Sequence, residues 1–106
     1  MAIEVFASGN LSADPEQVKG YKGEVTYRIT VSVNVIIDGE NRCETQYYDV
    51  FCAGTFARRA EKLKKRDGVW FRGPMAIRNY EYGNEARRTH IVRCNELITN
   101  NETYEA

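Results

Sequence analysis

Four aromatic residues and three arginines fall at alternating positions of three segments. Tyr47 and Phe51 lie in CETQYYDVFCA, Tyr80 and Tyr82 in VWFRGPMAIRNYEY together with Arg72 and Arg78, and Arg28 in EVTYRITVSVNV. The chemistry open to such a set is stacking. A nucleobase has a flat face whatever its identity, stacking on an aromatic ring contributes on the order of 1–3 kcal/mol per base, and guanidinium groups meet the phosphates. Tyr47 and Phe51, on one face of a strand, would stand roughly 13 Å apart by strand rise, enough to engage separate bases. The other reading is that the rings are cross-strand pairs of an ordinary sheet, or are covered by another subunit. Trp70 in particular equally suits an anchor between subunits.

These side chains need elements to hold them. In EVTYRITVSVNV, Val25, Tyr27, Ile29, Val31, Val33 and Val35 alternate with polar residues, which predicts a long strand with one buried face. Asp38-Gly39 supplies a hairpin turn after it. Ahead of it, IEVFAS reads as a first strand ended by GNLSADPE, and GYKG marks a tight connection. CETQYYDVFCA reads as a third strand with Tyr48, Val50 and Cys52 inward, leaving Tyr47, Asp49 and Phe51 outward. After Gly54, Thr55 caps a helix of about three turns in which Phe56, Ala60 and Leu63 share a face, ended by Asp67-Gly68.

A fourth strand, VWFRGPMAIRNYEY, is bent or edged at Gly73-Pro74. Its inward set is Val69, Phe71, Met75 and Ile77; Trp70, Arg72, Arg78, Tyr80 and Tyr82 point out. Gly83-Asn84 turns the chain into a final strand, RRTHIVRCNELI, and TNNETYEA shows no period. The order predicts an all-β fold with one helix: a five-stranded Greek-key barrel of the oligonucleotide/oligosaccharide-binding type (OB-fold), the helix between strands 3 and 4, which favours it over the main alternative, a small sandwich or an SH3-like barrel. One domain over residues 1–99 is expected, with 100–106 a short flexible end.

A chain of 106 residues with 42% apolar content suits one modest core, and zero net charge argues against binding nucleic acid by bulk positive field alone. TFARRAEKLKKRDGVWFRG nonetheless gathers seven of the fifteen Lys and Arg residues in nineteen positions. These alternate around Phe56, Ala60 and Leu63, so they read first as the wet face of the helix, with Glu61 and Lys65 spaced as an i, i+4 pair. They could also guide a polyanion by attraction that salt weakens. Three cysteines, Cys43, Cys52 and Cys94, form no C-x-x-C pair and suit a reducing cytoplasm better than a disulfide framework or zinc site. MAIEVFASGN is too short and acidic for a signal peptide, and no run approaches membrane-spanning length. The expectation is a cytoplasmic, nucleoid-associated protein with no membrane partner.

GNLSADPE, TQYYDVFCAGTFARRAEKLKKRDGVWFRG and IRNYEYGNEARRTHIVRCNEL together resemble the bacterial single-stranded DNA-binding protein family, from Val5 to about Ile98, with KKRDGVWFRG the most specific stretch. The resemblance implies sequence-independent binding and protection of single-stranded DNA in replication, recombination or repair, and assembly into homodimers or homotetramers. It places Tyr47 and Tyr80 where the family has stacking tryptophans, and Arg78 where it has a basic DNA contact. Arg28, Arg87 and Arg88 are added from charge and parity. The chain departs from the family at Ala53, where an aromatic contact is usual, and at Asp49, a negative charge where phosphate should approach; Phe51 is placed to replace the lost ring. The family's Gly/Pro/Gln-rich linker and acidic tip, which recruit replication and repair proteins, are not seen before the chain stops at NNETYEA. That fits either a tail-less relative, as in phage, plasmid or accessory replication proteins, or a shortened chain.

The alternative function is a protein-interaction module or primosome-type accessory protein using the same aromatic face. An enzyme is the least supported class. His90 has no nucleophile or acidic pair around it, and neither phosphate-cradling glycine loops nor metal-ligand clusters occur, so no cofactor and no metal are expected.

Overall fold

The computed structural model describes residues 3–36, 39 and 43–99, with the side chains of Tyr21, Cys43, Tyr82 and Arg87 left out. The strongest period-two segment forms β3 (Val25–Ile36), a hairpin with β4 (Cys43–Ala53) running from Ile36↔Cys43 to Thr26↔Ala53. Ile29, Val31 and Val33 are buried on the same side as Tyr48, Val50 and Cys52. The expected parity fails at the start of β3, where Val25 is exposed and Thr26 buried. There the short strand β2 (Glu16–Lys19) pairs with β3, Val18 opposite Thr26, and Gly20 leaves room for the Thr26 hydroxyl, which a Cβ at that position would meet at 2.1 Å.

β1 (Glu4–Leu11) runs through Gly9-Asn10 instead of ending there. It pairs with β5 (Gly68–Tyr82) from Glu4↔Pro74 to Asn10↔Gly68, and at its end also with β3 through Asn10↔Ser32 and Leu11↔Val31. Gly9 makes the double pairing possible: a Cβ there would meet the Ser32 carbonyl oxygen at 2.1 Å.

The expected final strand is two pieces, β6 (Glu85–Arg93) and β7 (Glu96–Thr99), both antiparallel to β5. Met75 faces Val92 but Arg72 faces Glu96, so three steps along β5 match four along its partner, a one-residue bulge at Cys94-Asn95. A Cβ on Gly73 would lie 1.8 Å from the Arg93 carbonyl oxygen. β6 also pairs in parallel with β4, Tyr48↔His90 to Phe51↔Arg93. The pairings β1–β3–β4–β6–β5–β1 therefore return to their start as a ring. Seven strands among the described residues replace the expected five, because β2 lies outside the ring and β7 continues β6. Leu11, Ile29, Val31, Val50, Phe71, Val92 and Leu97 fill the ring's interior.

The helix lies between β4 and β5 as expected, but α1 (Thr55–Glu61) is only seven residues long. Gly54, at φ 63°, occupies the N-cap, and Thr55 begins the helix instead of capping it. The helix stops early because the next amides find other acceptors. Lys64 N–H donates to Asp67 Oδ2 (2.9 Å), Lys65 N–H to Asp14 Oδ1 (2.8 Å) and Arg66 N–H to the Leu11 carbonyl (2.8 Å). Glu61 and Lys65 thus do not share a helix. Ala57, Ala60 and Leu63 cover the core, and Arg59 reaches across to donate to the Leu97 carbonyl at 2.9 Å. No helix among the described residues is long and apolar enough to cross a membrane.

Candidate nucleic-acid interface

Strand parity brings Arg28, Thr30 and Ser32 of β3, Tyr47, Asp49 and Phe51 of β4, and Thr89, Ile91 and Arg93 of β6 onto one outward arc of the ring. Arg78 faces Thr89 across β5–β6, which adds Arg78 and Tyr80 to its edge. Tyr47 is 53% and Tyr80 42% exposed, so both rings offer a face to solvent. Phe51 is half-buried, directly between Arg28 on β3 and Arg93 on β6. A cleft of about 330 Å³ opens beside it, walled by Lys19, Thr26, Ala53, Ile91 and Arg93.

The basic groups differ in their freedom. Arg28 is ion-paired with Glu16 of β2. Arg78 lies exposed, with no ion-pair partner among the described residues. Arg72 is on a different arc, between Glu4 and Glu96 at 3.3 Å each, away from Tyr47 and Phe51. Arg88 points to the other side of the β5–β6 hairpin, where it lines a cleft of about 300 Å³ with Gln46, Tyr47, Ile77 and His90. Tyr82 and Arg87 lie outside the described side chains.

Ile77, expected inside, is 52% exposed. Past the ring, β5 and β6 form a two-stranded ribbon whose two faces are both wet. His90 sits at the ring's lip, its imidazole stacked on Tyr48 with centroids 4.6 Å apart and Nδ1 3.2 Å from the Tyr47 carbonyl oxygen. Asp49 sits at the centre of the arc: Oδ1 accepts the Thr30 hydroxyl at 3.0 Å and Oδ2 the Thr89 hydroxyl at 3.3 Å. Cys52 and Cys94 are buried free thiols. A hydrogen bond with Cys94, and then burial, push the Cys52 thiol far above its ordinary range.

Sequence reasoning missed Lys19, Thr89, Ile91 and Arg93. The last three were recoverable, because Val92 is an inward residue of RTHIVR and its neighbours must alternate outward. Lys19 was not, since the four-residue EQVK of β2 has no readable period.

Trp70, 49% exposed, packs against Phe6, 62% exposed, with ring centroids 5.7 Å apart. Ile98, opposite Trp70 on β7, extends an apolar patch over β1, β5 and β7, bordered by the Arg72 ion pairs.

No protein-family model matches the chain, and no curated protein matches it. Solved structures do. A small single-stranded DNA-binding protein from Streptomyces coelicolor superposes with a TM-score of 0.75 at 17% identity, over 97% of this chain and 98% of that one. The Plasmodium falciparum SSB in complex with ssDNA gives 0.69 at 14% identity, over 91% and 92%. The resemblance read from the sequence is thus met at the level of architecture: the chain has the mostly-β, one-helix fold of these single-stranded DNA-binding proteins.

Proposed function

We propose that the chain is a non-enzymatic protein that binds single-stranded DNA along the outward arc of β3, β4 and β6, and so protects or organises it in replication, recombination or repair. In this reading the ring is a five-stranded Greek-key barrel of the OB type within residues 1–99, working in the cytoplasm. The observation that carries the reading is the spacing of Tyr47, Phe51 and Tyr80 on one arc, with Arg28, Arg78 and Arg93 between and beside them. Rings with open faces accept any base, and the interleaved guanidinium groups suit the phosphates. The fold likeness to a chain captured with ssDNA supports single-stranded DNA as the ligand. Anisotropy titration with labelled oligo-dT tests it: replacing Tyr47 and Tyr80 together by alanine is expected to weaken binding by about tenfold or more. Undiminished affinity in that double variant would count against this surface.

A second surface bears on partners. The Phe6–Trp70–Ile98 patch supports packing of copies into a homodimer or homotetramer, with the DNA arc left free. The same patch could hold a different protein, as in a primosome-type accessory factor. Light-scattering mass of the chain alone, then with DNA and candidate replication proteins, separates the two. A heteromer that DNA does not compete away would favour the interaction module.

A further inference from the structure

Stacking and phosphate contact leave the one acidic residue of the arc without a part: Asp49, a carboxylate flanked by Tyr47 and Phe51 on a face whose other charged groups are arginines. Its two oxygens are fixed by separate hydroxyls, Oδ1 by Thr30 at 3.0 Å and Oδ2 by Thr89 at 3.3 Å. Among the described residues it has no ion-pair partner. An ionised carboxylate has about two acceptor positions per oxygen, so each oxygen keeps one for an incoming donor. Phosphate is repelled from such a group, whereas a pair of adjacent N–H donors meets both oxygens at once. Among the four DNA bases only guanine carries two neighbouring donors, N1–H and N2–H, on its Watson–Crick edge. Adenine and cytosine set a ring acceptor beside their amino group, and thymine sets carbonyls on both sides of N3–H.

We propose that Asp49, oriented by Thr30 and Thr89, accepts a bidentate hydrogen bond from a guanine stacked on Tyr47 or Phe51, and keeps phosphates on the arginine-bearing flanks. This deepens, and rests on, the reading of the arc as a single-stranded DNA site. Binding tolerates every base through stacking, with a guanine preference added at this position.

Oligonucleotides of equal length built from TTG, TTI (I, inosine) and T repeats, titrated against the full chain in lithium buffer to suppress guanine quartets, test it. Inosine keeps the stacking surface and N1–H but lacks the N2 amino group. The TTG strand is expected to bind about fivefold or more tighter than the TTI strand. Asp49→Asn is expected to erase that difference and to raise affinity for oligo-dT, since the repulsion is gone; circular dichroism checks that the variant is folded. Equal wild-type affinity for the TTG and TTI strands, a comparison that needs no variant, overturns the proposal while the DNA-binding reading stands. A guanine preference that survives Asp49→Asn overturns it too. Failure to bind all three strands would overturn the reading of the arc itself, and this assignment with it.

Discussion

Arg28 of β3 is ion-paired with Glu16 of β2, the strand that lies outside the ring, at a position directly opposite Phe51. A side chain from an accessory strand therefore occupies a guanidinium on the proposed DNA path. Both partners are solvent-accessible, and such pairs contribute about 0–1 kcal/mol, so a phosphate can displace the carboxylate. Glu16→Gln is expected to raise oligo-dT affinity by about twofold to fivefold at low salt, and Arg28→Ala to lower it and flatten the dependence on salt. Titrations at several salt concentrations check both. An unchanged salt slope in Arg28→Ala would remove Arg28 from the site.

The Trp70 patch is expected to act on assembly and not on DNA. Trp70→Ala together with Phe6→Ala should reduce the light-scattering mass of the chain while leaving its affinity for a short oligonucleotide within about twofold, because truncated anchors at an interface centre cost about 2 kcal/mol or more. A constant mass across a wide concentration range in both proteins would refute it.

Gly73 sits where β5 passes the bulge between β6 and β7. Because a Cβ there would stand 1.8 Å from a backbone oxygen, Gly73→Ala should destabilise by about 4 kcal/mol or more, at the extreme of single substitutions. At Gly39 a Cβ would meet no heavy atom of the described residues within 4 Å, so Gly39→Ala should stay within about 0.5 kcal/mol of the parent. Urea midpoints of the three proteins test the contrast.

The Cys52 thiol is held protonated by its hydrogen bond with Cys94 and by burial, above the ordinary value of 9.0. A group whose folded pKa is raised stabilises fully below its unfolded pKa and loses that contribution as pH climbs above it. The same hydrogen bond lowers the Cys94 thiol, so the pair as a whole loses stability only above the ordinary thiol value, and urea unfolding should show a larger fall between pH 9 and pH 11 in the parent than in Cys52→Ala/Cys94→Ala. Parallel curves for the two proteins would show that the pair does not titrate with unfolding.

The strands with unbroken alternation were legible in the sequence. From Tyr27 to Val35, from Tyr47 to Cys52 and at Val69 to Arg72, each side chain lies on the side its parity predicts. What parity could not show was where the pleat loses its environment. Ile77 keeps the inward phase but lies on a ribbon with no core behind it, and Thr26 is buried by a four-residue strand too polar to announce itself. The helix was overextended because its apolar spacing continues to Leu63, while Asp14 and Leu11, far away in sequence, take the amides that a longer helix needs. The arc of Tyr47, Phe51 and Tyr80 followed from the strands, but the placing of Arg72 did not. Its charge suggested DNA, and only the register reveals Glu4 and Glu96 on either side of it.

The parallel seam between β4 and β6 joins Tyr48 to His90 and Phe51 to Arg93. During synthesis the β3–β4 hairpin can form early, yet one edge of β4 stays open until β6 has left the ribosome. Closure at that seam then brings together segments separated by a helix and a long strand, the kind of distant contact that slows folding. Until it happens, the nascent protein carries an unpaired β-edge, a target for chaperones and for mispairing with its neighbours.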